Sequence, residues 1–239
     1  MGLFSGQTIL VTGASGGVGE AMVRRLAGQG ATVCLTSRNR KRLEEIAGGL
    51  SEGRGRCYPA DLTVEQELGK AVEAILADNE RLDAVVHCAA IIVLGAVVTA
   101  TVRDFERQFQ VNVVAPFRLT QLLLPALISS RGQAVFINSS AGRHASAEVS
   151  QYAATKHALR AVADSLRDEC NATGVRVCSL FLGSTATPMQ AAIRAEQKRR
   201  YEPERLIQPD DVAEMIAAVL ALPRTAEVTD LVMRPTEKA

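Results

Sequence analysis

The chain has 239 residues, with 27 Lys+Arg against 26 Asp+Glu and 47% apolar residues. A net charge of +1 offers no global cationic surface to a phosphate backbone, so no nucleic-acid partner is expected. This is the composition of a globular chain long enough to bury one large core, not of a disordered tail. Cys34, Cys57, Cys88, Cys170 and Cys178 are odd in number, scattered and free of any C-x-x-C pair, which fits reduced thiols in a cytoplasmic setting. His87, His144 and His157 share no ligand spacing with them, so no metal site is expected.

The first seven residues, Met1 to Gln7, lack the basic and long apolar regions of a secretory signal. Strand-like runs follow at Thr8–Thr12, Thr32–Thr36, Arg56–Pro59, Ala84–Cys88, Ala134–Ile137, Arg176–Phe181 and Val228–Met233. Helical periodicity falls between them, at Val18–Gln29, Arg40–Leu50, Val64–Asp78 (with Thr63 as N-cap), Thr101–Ser130 (bent near Pro116), Gln151–Ala172 and Pro209–Leu222. The apolar stretch Ala84 to Ala100 is short for a bilayer span and rich in β-branched residues. It reads as a buried strand and its loop, and no membrane partner is expected. Alternating strands and helices without a linker predict one α/β domain over residues 1–239: a Rossmann-like, doubly wound parallel sheet of about seven strands with helices on both faces. Residues 183–208 are charged and irregular and are read as a rim over the site.

The first strand runs into Thr12-Gly13-Ala14-Ser15-Gly16-Gly17-Val18-Gly19, which opens the first helix. A glycine-rich turn there brings backbone N–H groups and the helix dipole to a phosphate. Further on stand Asn112 in an N-x-x-x-P segment, Ser139 after the fifth strand, and Tyr152-Ala153-Ala154-Thr155-Lys156. The order T-G-x-x-x-G-x-G, Asn, Ser, Y-x-x-x-K resembles the short-chain dehydrogenase/reductase family over nearly the whole chain.

That resemblance implies an oxidoreductase with Ser139, Tyr152, Lys156 and Asn112 as the catalytic set. It implies a dinucleotide held by Gly13, Ser15, Gly16, Gly17, Val18 and Gly19, by Ser37, Arg38, Asp61 and Leu62, by Ala89 and Ala90, by Tyr152 and Lys156, and by Gly183, Thr185 and Thr187. Ser37 stands where NAD enzymes of the family carry Asp, and Arg38 suits a 2′-phosphate, so NADP(H) is the favoured cofactor and NAD(H) the alternative. Arg40, Lys41 and Arg42 add positive potential, or serve only as solvated helix charges. Asn112 is expected to hold a water linking Lys156 to solvent, or to bond backbone where the helix bends.

The chemistry agrees. Reducing a ketone requires a proton for oxygen as hydride reaches carbon, and a free phenol, with a pKa of about 10, gives its proton reluctantly. Lys156, one helical turn beyond Tyr152, is expected to lower that value, and the Ser139 hydroxyl to hold the substrate oxygen, with Ser140 as the fallback. His144 and His157 are read as structural or surface residues. Three departures from the family pattern stand out: Cys88 and Ala90 within His87-Cys88-Ala89-Ala90, and Leu182-Gly183 in place of Pro-Gly.

The expected reaction is hydride transfer between NADP(H) and a ketone or secondary alcohol. Ala90–Val98 and Ala141–Ser150 suit an apolar ketone. Arg194, Lys198, Arg199, Arg200 and Arg205 in the rim suit a solvated helix, or an acidic substrate such as a 3-oxoacyl carrier, while the C-terminal strand is closer to relatives acting on small hydroxy acids. The alternative is a non-catalytic NADP(H) sensor or interaction protein. Apolar residues on several faces of the helices around 112–130 and 151–172 leave surface for a partner, and the resemblance implies a homo-oligomer, a tetramer or a dimer.

Overall fold

The computed structural model describes residues 2–51 and 53–237. Thr8–Thr12 (β1) is buried at every position and Thr32–Thr36 (β2) nearly so, as parallel strands covered on both faces must be. With Gly55–Cys57 (β3), Ala84–His87 (β4), Gln133–Ser139 (β5), Arg176–Leu182 (β6) and Asp230–Met233 (β7) they form one parallel sheet in the order β3-β2-β1-β4-β5-β6-β7. Alternate residues feed two cores. Ile9 and Val11 pack with Gly17–Gly28 (α1), Arg40–Gly48 (α2) and Pro209–Ala221 (α8). Leu10 packs on the other face with Glu65–Asp78 (α3), Ala115–Ser130 (α5) and Ser150–Cys170 (α6). The strand order reverses between β1 and β4, which opens a crevice at the carboxyl ends of the strands.

Register places the site. The β4–β5 pairing ends at His87 opposite Phe136, while β5 continues beside β6 as far as Ser139 opposite Leu182. Ser139 therefore sits where β5 and β6 run on together past the end of β4, at the edge of the crevice.

Four expectations shift. The long helical region is Val102–Phe109 (α4), a π-helical segment Gln110–Val114, then α5, so the break precedes Pro116 by a turn. Pro116 has no N–H to give the Asn112 carbonyl, and the i→i+5 register takes up the slack. Thr63 does not cap α3: its N–H and hydroxyl both turn to Asp61 Oδ1, at 2.9 and 2.7 Å, and Val64 precedes the helix without a side-chain cap. The last strand starts at Asp230, not Val228. The rim at 183–208 contains its own helix, Pro188–Glu196 (α7). Val102–Ser130 is, among the described residues, the one helical stretch long and apolar enough to cross a bilayer; its Leu119, Leu123 and Leu127 are buried in the second core.

Candidate active site

The loop between β1 and α1 is built for close approach. Gly13 has φ +64°, and a Cβ there would meet Ala89 Cα at 2.8 Å, so the loop lies directly on the end of β4. A Cβ at Gly19 would fall 2.2 Å from the Gly13 carbonyl oxygen, so only glycine lets the first turn of α1 seat against the loop. Gly16 enters α1 extended, with no side chain capping the free N–H groups. Thr187 comes over this loop: its methyl would lie 3.0 Å from a Cβ at Gly17, while its hydroxyl caps α7 by accepting from Gln190 N at 3.2 Å. Ser15, Val18, Leu62, Ala89, Ala90 and Gly183 are half-buried around these strand ends, and Thr185 is buried with its hydroxyl donating to the Gly183 carbonyl at 3.1 Å.

Beyond β2, Arg38 is 67% exposed and its nearest carboxylate, Asp61, is 4.0 Å away. Burial works to raise the Asp61 pKa, but hydrogen bonds from Thr63 and the Arg38 charge outweigh it and hold the carboxyl below its usual value. Arg42 is engaged by Glu20 at 2.7 Å and Glu45 at 3.1 Å, and Arg40 faces Glu44 at 3.7 Å. Those two behave as helix-surface ion pairs, leaving Arg38 the available cation at the strand end. No carboxylate occurs from Thr36 to Arg42. A glycine cradle at a helix N-terminus with an open guanidinium beyond the second strand fits a phosphorylated dinucleotide.

At the other side of the crevice, Ser139 is half-buried, its hydroxyl accepting from Ala141 N at 3.2 Å and acting to lower the pKa of the Tyr152 phenol, whereas Ser140 is exposed. Lys156 is buried, and its ammonium donates to the Ile137 carbonyl at 3.0 Å. Burial lowers its pKa to about 8. The expected depression of Tyr152 is not found: burial pushes the phenol up to about 12, and the Ser139 side chain opposes that only in part. The Lys156 ammonium points to strand β5 and lies 5.7 Å from the centre of the Tyr152 ring.

Asn112 is spent on bracing. It accepts from Ile91 N at 2.9 Å and donates to Ile91 O at 2.9 Å and to Thr155 Oγ1 at 3.1 Å. The side chain thus clamps the loop after β4 to α6, which is the backbone-bonding role of the two expected. Ile91 and Val93 hold the same loop through Asn112 and through Gln108 Oε1, which accepts from Val93 N at 3.0 Å.

Two functional supports escape the sequence reading. Thr12 Oγ1 accepts from Cys88 N at 3.0 Å and Ala89 N at 3.2 Å, supplying the sheet-end bonds that Cys88 cannot. Asn138 accepts from Ser139 N at 2.8 Å and donates to the Lys156 carbonyl at 3.1 Å, splinting the serine to the tyrosine helix. Each sits beside a quoted motif residue, and a polar side chain inside a buried strand was the available signal. Cys88 lies near Lys156, whose charge opposes the burial that raises the thiol to about 12. Gly183 replaces the family turn by donating to Met233 O at 2.8 Å. His87 is buried, stacked on Phe136 at 4.6 Å and hydrogen-bonded to Thr120, while His157 is exposed with its ring nitrogen on Ala153 O.

A doubly wound sheet with a glycine cradle at its switch point and a Ser-Tyr-Lys constellation across the crevice defines a dinucleotide-binding oxidoreductase. The sequence profile of the short chain dehydrogenase family matches residues 7–198, and the chain belongs to that family. An uncharacterised oxidoreductase of Staphylococcus epidermidis (strain RP62A) is 30% identical over 227 residues, covering 95% of this chain and 96% of its own. A closed serine dehydrogenase complexed with NADP+ superposes with TM-score 0.89 at 25% identity, over 98% of this chain and 96% of its own. A 3-ketoacyl-(acyl-carrier-protein) reductase from Brucella melitensis complexed with NADH gives 0.85 at 26%, over 97% and 98%.

Proposed function

We propose that the chain is an NADP(H)-dependent oxidoreductase that interconverts a ketone and a secondary alcohol, with Tyr152 as the proton donor and acceptor. The observation that carries this reading is the grouping of Ser139 at the end of β5 with Tyr152 and the buried Lys156 on α6, across the crevice from the Gly13 cradle. When bound, the dinucleotide supplies or takes the hydride. Gly13 to Gly19 and Arg38 hold its phosphates, and Asp61 and Thr187 flank its two ends. Tyr152 passes its phenolic proton to the carbonyl oxygen in reduction and recovers it in oxidation, while the Ser139 hydroxyl orients that oxygen. Lys156 places a positive charge 5.7 Å from the Tyr152 ring, and a cation near the phenol favours its phenolate form.

Arg38 and the lack of a carboxylate between Thr36 and Arg42 support NADP(H) over NAD(H). The chain works as a cytoplasmic homo-oligomer in this reading, since its five free cysteines suit a reducing compartment and α4–α5 exposes Phe105, Phe109 and Phe117 together. The direct test is oxidation of NADPH and of NADH in the presence of a panel of aliphatic, alicyclic and acidic ketones, with the corresponding alcohols run in reverse. Turnover of at least one ketone with preference for NADPH is expected; binding of cofactor without turnover of any member points to the sensor alternative.

A further inference from the structure

The rim segment closes on itself before it reaches the solvent. Thr185 bridges Ile207, Ala186 N donates to Ile207 O at 2.8 Å, and Ile207 N donates to Ser184 O at 3.2 Å. From this stem Thr187 leans on the Gly17 loop and α7 runs outward, so Arg194 stands about 10 Å along the helix from the cofactor loop, at 1.5 Å per residue.

The end of α7 is folded back. Lys198 has φ +52°, Lys198 N donates to Ala195 O at 3.1 Å, and Arg199 N donates to Arg194 O at 2.8 Å. This left-handed turn normally brings an apolar pair together at its two outer positions. Here those positions are Arg194 and Arg199. Two guanidinium-bearing side chains are thus set side by side by a turn that a lysine, not a glycine, makes.

Between them and the next turn of chain is a cavity of about 270 Å³ lined by Arg194, Arg199, Arg200, Glu202, Arg205 and Leu206. The Glu202 carboxylate is already used: it faces Arg205 at 3.1 Å and Arg200 at 3.7 Å, and Arg205 also meets Glu237 at 3.3 Å. Arg194 is 7% exposed and makes no ion pair or side-chain hydrogen bond with any described residue. Its guanidinium nitrogens are not among the sealed, unpartnered polar atoms, so they open to the cavity, where a cation with little other exposure favours an anion. The cavity lies below the roughly 300–1,000 Å³ typical of whole small-molecule sites, which suits one charged head group rather than an entire ligand.

We propose that this cavity is an oxyanion subsite in which Arg194 and Arg199 hold a carboxylate or phosphate. The anion belongs either to the acidic end of the substrate or to a free ion acting on the rim. The first source rests on the oxidoreductase reading above; binding of the anion itself does not.

The experiment titrates the protein, saturated with NADP+ so that the phosphate sites at the glycine loop and Arg38 are filled, with inorganic phosphate by calorimetry. One site is expected, weakened about tenfold or more in Arg194→Met and in Arg199→Gln, as befits loss of a charge-assisted contact. Kinetics on ketones of one skeleton, as free acids and as methyl esters, then separate the sources. If the anion is the substrate's, both variants raise KM for the acid about tenfold with kcat and the ester constants unchanged, and phosphate competes with the acid. If it is a free ion, phosphate alters turnover of the ester in the wild type and not in the variants. Absence of phosphate binding together with an unchanged acid-to-ester ratio in both variants overturns the proposal. Arg199 is exposed, so Arg199→Gln carries the test should Arg194→Met fail to fold. Phosphate bound at Arg194 by a chain that turns over no ketone or alcohol sinks the oxidoreductase reading and leaves the subsite standing.

Discussion

The Lys156 ammonium donates to the Ile137 carbonyl at 3.0 Å while lying 5.7 Å from the centre of the Tyr152 ring. The lysine is thus tied to the strand that carries Ser139 and only adjoins the phenol. Its pKa falls from 10.5 to about 8 because the charge is buried. At about 1.4 kcal/mol per pH unit this burial costs on the order of 3 kcal/mol while both folded and unfolded chains are protonated. The penalty is complete below about pH 8 and is relieved as pH rises towards 10.5, where the unfolded chain also loses the proton. Lys156→Met is therefore expected to be more stable than wild type at neutral pH, by about 2 kcal/mol after the lost Ile137 hydrogen bond is counted. Urea denaturation across this range checks it: the gap between the proteins narrows as pH rises. A variant that is less stable at neutral pH contradicts the buried-charge account.

Arg38 is the open cation at the end of β2, since Arg40 and Arg42 are held by glutamates. Arg38→Ser is expected to raise the KM for NADPH about tenfold to a hundredfold, the worth of a charge-assisted contact, and to leave that for NADH nearly unchanged. Steady-state kinetics with both cofactors measure it. Equal losses with the two would show that Arg38 reads no 2′-phosphate.

Asn112 clamps Ile91 through both main-chain groups. Asn112→Ala leaves a buried N–H and a carbonyl without partners and is expected to destabilise the fold by about 2–4 kcal/mol, read from the urea midpoint. Asn112→Asp keeps the acceptor for Ile91 N but sets a buried carboxylate oxygen against Ile91 O, and is expected to recover none of that loss. If both variants unfold at the wild-type midpoint, the side chain is not the brace.

The sheet was legible because buried parallel strands such as Thr8–Thr12 and Thr32–Thr36 are short β-branched runs between amphipathic helices, and nothing else explains that alternation. The grouping of Ser139, Tyr152 and Lys156 was legible because Tyr152 and Lys156 share a helix face and Ser139 ends a strand. What escaped is longer-range or competitive. Thr12 and Cys88 meet across 76 positions of sequence, beyond any local pattern. Thr63 has a capping side chain, but Asp61, two residues away, offers it a stronger acceptor. Pro116 marks the bend correctly in kind, yet its missing N–H disturbs the turn before it, at Gln110–Val114. Spacing put Lys156 beside Tyr152 without saying where its ammonium points, and burial rather than the lysine sets the pKa of the phenol.

The most direct measurement is NADPH-dependent turnover of the best ketone by wild type and Tyr152→Phe, with NADPH binding measured separately on both. With Tyr152 proposed as the proton donor, kcat is expected to fall by about a hundredfold to ten-thousandfold while NADPH affinity is preserved. Equal turnover by the two proteins would contradict the assignment of Tyr152 as the acid.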